Sequence, residues 1–247
     1  MNPAVNPAVE SISAFFPCYN DEATIASMVN AGVKTVEGVG ADGEVIVIND
    51  GSTDGSQEVL EDLSDSQPWL RIVVHEHNRG YGGALLSGFA AATKQWVFYT
   101  DGDAQFDPTE LALLVDAAGP EVDVVQGYKL HRADNVIRRI IGRVYHRFVA
   151  LIFGLKIRDT DCDFRLIRRT LLERVELRYS TGVICVEMVR KFQDAGARFV
   201  EVPVHHYPRT HGKSQFFRPS SVARSLRDLA MLWVRVIVLR QGKRAAA

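Results

Sequence analysis

The sequence predicts an α/β fold: a mostly parallel central sheet with helices on both faces. Three observations carry this. Apolar runs of strand length alternate with amphipathic stretches of helix length through the first half. The runs are rich in Val, Ile and Phe without polar alternation, as in strands covered on both sides. Each polar or glycine-containing cluster follows directly on such a run, where sheets of this type bind ligands.

The elements follow in order. "ISAFFP" (12–17), "EVIVIND" (44–50), "RIVVHEH" (71–77) and "WVFYTD" (96–101) read as strands. Between them lie helices at 21–37 behind a capping Asn20, at 53–63 behind Ser52, at 83–94 behind the glycines of "NRGYGG", and at 108–118 with Pro108 in the first turn. The order β-α-β-α-β-α-β argues for parallel neighbours. The second half is less regular. "DVVQGYK" (123–129) reads as a strand and 135–153 as a basic helix. "DFRLIRR" (163–169) reads as a strand, 183–195 as a helix and "RFVEVPVHHY" (198–207) as a strand. The loop "PRTHGKSQ" leads to a last helix from Pro219.

With 247 residues, 47% of them hydrophobic, the chain suits one globular domain with a tail. The N-terminus lacks the layout of a secretory signal, and "LAMLWVRVIVL" is short and interrupted by Arg235, so neither secretion nor a membrane span is expected. Cys18, Cys162 and Cys185 form no disulfide or zinc pattern and fit a reducing cytoplasm. Charge is divided sharply. Residues 1–128 hold 20 Asp/Glu and 4 Lys/Arg, whereas 129–247 hold 10 and 25. The acidic half suits a divalent cation, and the basic half suits phosphate or an anionic membrane surface. No motif supports nucleic-acid binding.

The stretch "TDGDAQFDP" (100–108) carries the most chemistry. As an EF-hand loop counted from Asp101, it would need Gly at position 6 and Glu at position 12, where Phe106 and Ala112 stand. What is left is a strand-end Asp-x-Asp-x-Gln whose alternate side chains, Asp101, Asp103 and Gln105, would point the same way. Such hard oxygen ligands suit Mg²⁺ or Mn²⁺ alongside substrate phosphates. Asp107, before Pro108, reads as a helix cap. "NRGYGGA" fails the dinucleotide fingerprint because Leu85 stands at its third glycine, and "GKS" (212–214) fails the P-loop because Tyr207 replaces its first glycine. His205 and His206, adjacent on a strand, would face opposite ways and read as ordinary strand-end residues.

"FPCYNDEATI", "VIVINDGSTDGS", "NRGYGGALLSGF" and "YTDGDAQFDP", in that order, resemble a family 2 glycosyltransferase with the GT-A fold. The chain is most similar to the polyprenyl-phosphate branch that includes dolichol-phosphate mannose synthase. The resemblance spans about residues 11 to 217. It implies inverting transfer from a UDP- or GDP-linked sugar to a polyprenyl phosphate at the cytoplasmic membrane face. It implies that Pro17, Tyr19, Asn20, Glu22 and Asp50 bind the nucleotide, with Asp101, Asp103 and Gln105 as the metal and diphosphate site. Within a GT-A domain over 1–217, residues 11–128 would be the nucleotide-sugar half and 129–217 the acceptor half. An amphipathic helix and basic tail would follow over 218–247.

On the acceptor side, Lys129 of "GYK" matches the branch's basic residue for the lipid phosphate. Arg165 carries over from the branch's Asp-x-x-Ser-Gly-Phe-Arg motif, which implies a catalytic residue that binds the acceptor phosphate, while Cys162 and Asp163 depart from the motif in "DTDCDFR". Arg209, Lys213 and Ser214 fall in a loop resembling one that closes over the donor and would clamp phosphate. The helix with Arg138, Arg139, Arg143 and Arg147 either lies at an anionic membrane surface or packs on the core with its basic face solvated. The last helix would be interfacial or an oligomer contact, giving peripheral attachment or a separate membrane partner. Two alternatives stay open: transfer to a hydroxyl acceptor, with Asp161 or Asp163 as base, and a sugar-nucleotide-binding protein without turnover.

Overall fold

The computed structural model describes residues 6–67, 69–130, 136–209 and 219–241, with the side chains of 136–141 and 143 outside the description. Among these, seven strands form one sheet in the order β3-β2-β1-β4-β6-β5-β7. The chain runs β1 (Ser11–Cys18), α1 (Ile25–Gly38), β2 (Asp42–Asn49), α2 (Ser56–Ser66), β3 (Leu70–Val74), α3 (Tyr81–Ala91) and β4 (Trp96–Thr100). It continues through α4 (Leu111–Ala117), β5 (Val124–Lys129), α5 (Val136–Phe153), β6 (Phe164–Arg168), α6 (Arg169–Arg174), α7 (Ile184–Asp194), β7 (Phe199–Val204) and α8 (Pro219–Trp233). All pairings are parallel except those of β6, which runs antiparallel to β4 and β5.

Strand alternation explains why the apolar runs are continuous. Ala14, Phe16, Val45, Val47 and Phe98 face α1 and α4, while Phe15, Ile46, Ile48, Val97 and Tyr99 face α3 and α7. Both faces are thus dry, and one residue of slippage would still bury apolar groups. A third apolar cluster joins Val149 and Phe153 of α5, Val186 and Val189 of α7, and Leu229 and Leu232 of α8.

The connections place the site. From β1 the chain winds outward through β2 and β3, then crosses back to lay β4 on the other side of β1. The strand order therefore reverses between β1 and β4, where open α/β sheets form their ligand crevice. Because β6 runs the other way, its leading segment, 159–163, comes to the same rim.

Several local expectations change. The first turn of α1 begins at Ile25, after Thr24, and no side chain caps it; Asn20 instead sits at φ 58°. α2 starts at Ser56 behind Gly55, not behind Ser52. The short helix α6, in "RRTLLER", starts at Arg169, the last residue of the expected strand, and covers residues to which the sequence reading gives no element. Asp107 does cap a 3₁₀ turn at Pro108–Glu110, accepting from Thr109 N at 2.9 Å.

At the opposite end of the sheet, Glu44 is buried and accepts from Ser13 Oγ at 2.7 Å, Thr93 N at 2.8 Å, Thr93 Oγ1 at 2.7 Å and Arg71 Nη1 at 2.9 Å. Burial pushes its carboxyl up, but the bonds from Thr93, Ser13 and Arg71 outweigh burial and hold it below the usual range. A lowered folded pKa adds stability above the unfolded value, about 4.3, and that contribution is lost as pH falls through the folded pKa. Glu44→Gln is expected to cost about 1–3 kcal/mol near neutrality. It should also flatten the acid limb of stability in urea melts. An acid limb identical to the parent's would contradict this assignment.

Candidate active site

The polar clusters meet at the β1/β4 crevice. Gly102 lies flush against the end of β1: a Cβ there would stand 2.5 Å from Pro17 O. Thr24 Oγ1 donates to Gly102 O at 2.9 Å, tying the head of α1 to the same turn. Residues 101–107 do not continue β4. The strand ends at Thr100, and Ala104 turns the chain at φ 58°. This corrects the expectation that Asp101, Asp103 and Gln105 align by strand alternation. A turn brings them to one rim.

The carboxylates crowd each other. Asp101 Oδ1 is sealed from solvent and has no hydrogen-bond partner among the described residues. Burial pushes its carboxyl well above the usual range, and the charges of Asp163 and Asp103 add to this. Asp103 is also raised, by burial first, despite Arg209 and the bond from Gln105 N at 3.0 Å. Arg209 Nη2 donates to Asp103 Oδ2. Gln105 Nε2 donates to Tyr207 O at 3.2 Å, and Tyr207 N returns a bond to Gln105 O at 2.8 Å.

These residues fit a divalent cation. Asp101 offers an unpartnered buried oxygen among like charges that a cation would relieve, and Gln105 spends its NH₂ elsewhere, leaving its carbonyl oxygen. Among the described residues no three His, Cys, Asp or Glu side chains are grouped to hold a metal. Two carboxylates and an amide, completed by water and substrate phosphate, are the way Mg²⁺ is usually held.

Residues expected to face the nucleotide are engaged within the rim. Asn20 Oδ1 accepts from Thr53 N at 2.7 Å, and Glu22 Oε2 from Gly55 N at 3.1 Å, so both hold the loop before α2. Asp50 is buried. Its Oδ1 meets His75 Nδ1 at 2.5 Å and accepts from Arg79 N at 2.9 Å, and its Oδ2 accepts from Gly80 N at 3.0 Å. Asp50 thus anchors the loop before α3. Pro17 is the last residue but one of β1, and Tyr19, just past the strand, is half-buried. A cavity of about 440 Å³ opens here, lined by Asn20, Asp21, Glu22, Thr24, Asp54 and Val59. Sequence reading missed Asp21, whose Oδ2 accepts from Tyr19 N at 3.0 Å and whose carboxyl burial raises to about 6.

On the acceptor side, Lys129 Nζ donates to Asp161 O at 2.6 Å and lies 5.7 Å from the Phe106 ring centre. Asp163 accepts from Cys185 Sγ at 3.2 Å and stands 3.6 Å from Arg165 Nη1. Arg165 itself is only 1% exposed. It donates to Gln126 Oε1 and Thr160 O, each at 2.5 Å, and to the Tyr99 hydroxyl. That departs from the expectation that Arg165 meets the acceptor phosphate: its guanidinium is spent inside the sheet. His205 and His206 lie past β7, which ends at Val204, rather than on the strand as expected; the first meets Glu110 at 2.5 Å and the second is edge-on to Phe106. The side chains of Arg138, Arg139 and Arg143, and all of Lys213 and Ser214, lie outside the described residues.

Comparison with known proteins agrees with this architecture. The family model described as glycosyl transferase family 2 matches residues 13–176. The chain is 28% identical over 211 residues to the undecaprenyl-phosphate 4-deoxy-4-formamido-L-arabinose transferase of Enterobacter sp. (strain 638), covering 85% of this chain and 63% of that protein. It is 27% identical over 210 residues to the transferase of the same name from Edwardsiella ictaluri (strain 93-146), covering 84% and 63%. The chain thus spans 63% of the length of these relatives. Glucosyl-3-phosphoglycerate synthase from Mycobacterium tuberculosis, solved with Mn²⁺, UDP and glucosyl-3-phosphoglycerate, superposes with a TM-score of 0.68 at 22% identity, over 92% of this chain and 79% of that one. Its complex with Mg²⁺ and UDP gives 0.69 at 20% identity, with the same coverage. The fold is of the GT-A type. The extent of the family match establishes that this chain belongs to glycosyl transferase family 2.

Proposed function

We propose that the protein transfers a sugar from a nucleoside diphosphate sugar to a polyprenyl phosphate, using a divalent cation. The observation that carries this is the crevice itself. Unpartnered Asp101 and its neighbour Asp103 face Lys129 and Arg209 across the rim, so donor diphosphate and acceptor phosphate each find countercharge. The curated relatives are undecaprenyl-phosphate sugar transferases, which supports the acceptor class. Residues 11–128 form the donor half and 129–217 the acceptor half.

In this reading an acceptor phosphate oxygen attacks the anomeric carbon, the bond to the diphosphate breaks, and the nucleoside diphosphate departs. Asp101, Asp103 and Gln105 would hold Mg²⁺ or Mn²⁺, whose charge would neutralise the departing diphosphate. Arg209 exchanges Asp103 for phosphate when the donor binds, and Lys129 orients the acceptor from its tether on Asp161 O. Arg165 positions rather than binds: it fixes Thr160 and stands beside Asp163. Asp50, Asn20 and Glu22 shape the nucleotide rim through the loops they hold. A phosphate is already anionic at neutral pH, so positioning and charge neutralisation supply most of the catalysis.

The acceptor side also supports a peripheral membrane site on the cytoplasmic face. No described helix is long and apolar enough to cross a membrane. α5 buries Val149 and Phe153 but exposes Val144, Phe148 and Leu151 beside Arg147; α8 buries Leu229 and Leu232 but exposes Val222, Leu226 and Trp233 beside Arg224. Apolar stripes flanked by arginine suit an anionic bilayer surface. A second reading, transfer to a hydroxyl, is favoured by one observation: Asp163 stands in the rim beside Asp101, where a base would be needed. The test is incubation with labelled nucleotide sugars, Mn²⁺ and lipid extract. Organic-soluble label supports the lipid phosphate, aqueous label the hydroxyl acceptor, and binding without transfer overturns both.

A further inference from the structure

The head of α3 carries a group that the proposed reaction has not used. Tyr81 is the first residue of α3, and its hydroxyl is sealed from solvent with no hydrogen-bond partner among the described residues. A buried hydroxyl without a partner costs stability and calls for a reason. Asp101, with its own unpartnered oxygen, is the neighbouring acid.

The backbone on either side of Tyr81 is gripped. Before it, Asp50 accepts from Arg79 N and Gly80 N, and Gly80 takes φ 82°. After it, Gly82 N donates to Ser180 O at 2.8 Å, and a Cβ on Gly82 would stand 2.2 Å from Tyr179 O. The opposing segment is held in turn by Glu187, fully buried, whose Oε2 accepts from Arg178 N at 2.9 Å and Tyr179 N at 3.1 Å. The "YGG" spacing has a physical reason: glycines let a second chain segment close on the helix head, and the tyrosine between Gly80 and Gly82 lies within reach of Asp101 and Asp163.

We infer that Tyr81 is a positioning residue, its hydroxyl orienting the Asp101 carboxylate toward a bound divalent cation. This rests on the cation site proposed above. Partners that orient a metal ligand typically contribute about 10–100-fold to metal affinity or activity. Tyr81→Phe keeps the ring and its packing and removes only the donor.

The test counts free Mn²⁺ by its paramagnetic resonance signal, with UDP or GDP present, for the parent, Tyr81→Phe and Asp103→Ala. Tyr81→Phe is expected to bind Mn²⁺ about 10–100-fold more weakly, with its melting temperature unchanged or raised. Parent-like Mn²⁺ affinity in Tyr81→Phe, while Asp103→Ala has lost it, overturns the role of Tyr81 and leaves the cation site standing. A parent that binds Mn²⁺ no better than Asp103→Ala overturns the cation site and, with it, this inference.

Discussion

Asp103→Ala is expected to abolish metal-stimulated turnover while leaving the fold intact. Asp103 is the carboxylate shared between the proposed cation and Arg209, so its loss removes both a ligand and the partner that parks the arginine. Deleting one preorganised electrostatic group commonly costs about 10²–10³ in kcat. Here the fall should reach at least that, and added Mn²⁺ should no longer raise the rate. Stability should move the other way from a typical core lesion. The Asp103 charge disfavours ionisation of Asp101, so its removal relieves a repulsion that the unloaded site carries. A melting temperature within about 4 °C of the parent, equivalent to about 1 kcal/mol, together with lost turnover, is the expected pair. Near-parent turnover in Asp103→Ala would remove the metal assignment.

Arg165→Ala is expected to do the reverse, damaging the fold first. Arg165 bridges three strands: it lies on β6, pairs across from Tyr99 on β4, and donates to Gln126 on β5. Truncation strands the Gln126 and Thr160 oxygens, leaves a large void and unpairs Asp163. Breaking a buried charged network of this kind costs about 3–5 kcal/mol, or roughly 6–20 °C in melting temperature for a chain of this size. Arg165→Lys should recover only part of that, because an ammonium cannot reproduce the planar fork. A soluble, parent-stable Arg165→Ala that has lost only acceptor affinity would restore a direct role at the phosphate.

The contrast between these two residues shows what could be read from the chain alone. Asp101, Asp103 and Gln105 were legible as a candidate site because folding by itself gives little reason to end a buried strand on so many acceptors. The strands were legible because a sheet covered on both faces leaves an uninterrupted apolar run. Arg165 was not legible as an interior residue. Two of its partners, Gln126 and Tyr99, lie 39 and 66 residues away, and an arginine in isolation predicts a surface. Asn20, Glu22 and Asp50 were read as ligand groups because rim loops and ligands want the same acceptors. Only the fold shows that backbone N–H groups already hold them. The turn at Ala104 escaped notice because nothing in an alanine announces a positive φ. Tyr81 was visible in "NRGYGG", but its meaning came from a segment a hundred residues later.

Metal-dependent transfer to a lipid phosphate can be measured as an initial rate with purified protein, an accepted nucleotide sugar and vesicles containing undecaprenyl phosphate. Sugar-labelled lipid and free nucleoside diphosphate should appear in equal amounts. Both should require Mn²⁺ or Mg²⁺ and the lipid phosphate, and Asp103→Ala should form neither. Transfer that proceeds unchanged in chelator, or label that passes only to a hydroxyl acceptor, would refute the proposed reaction.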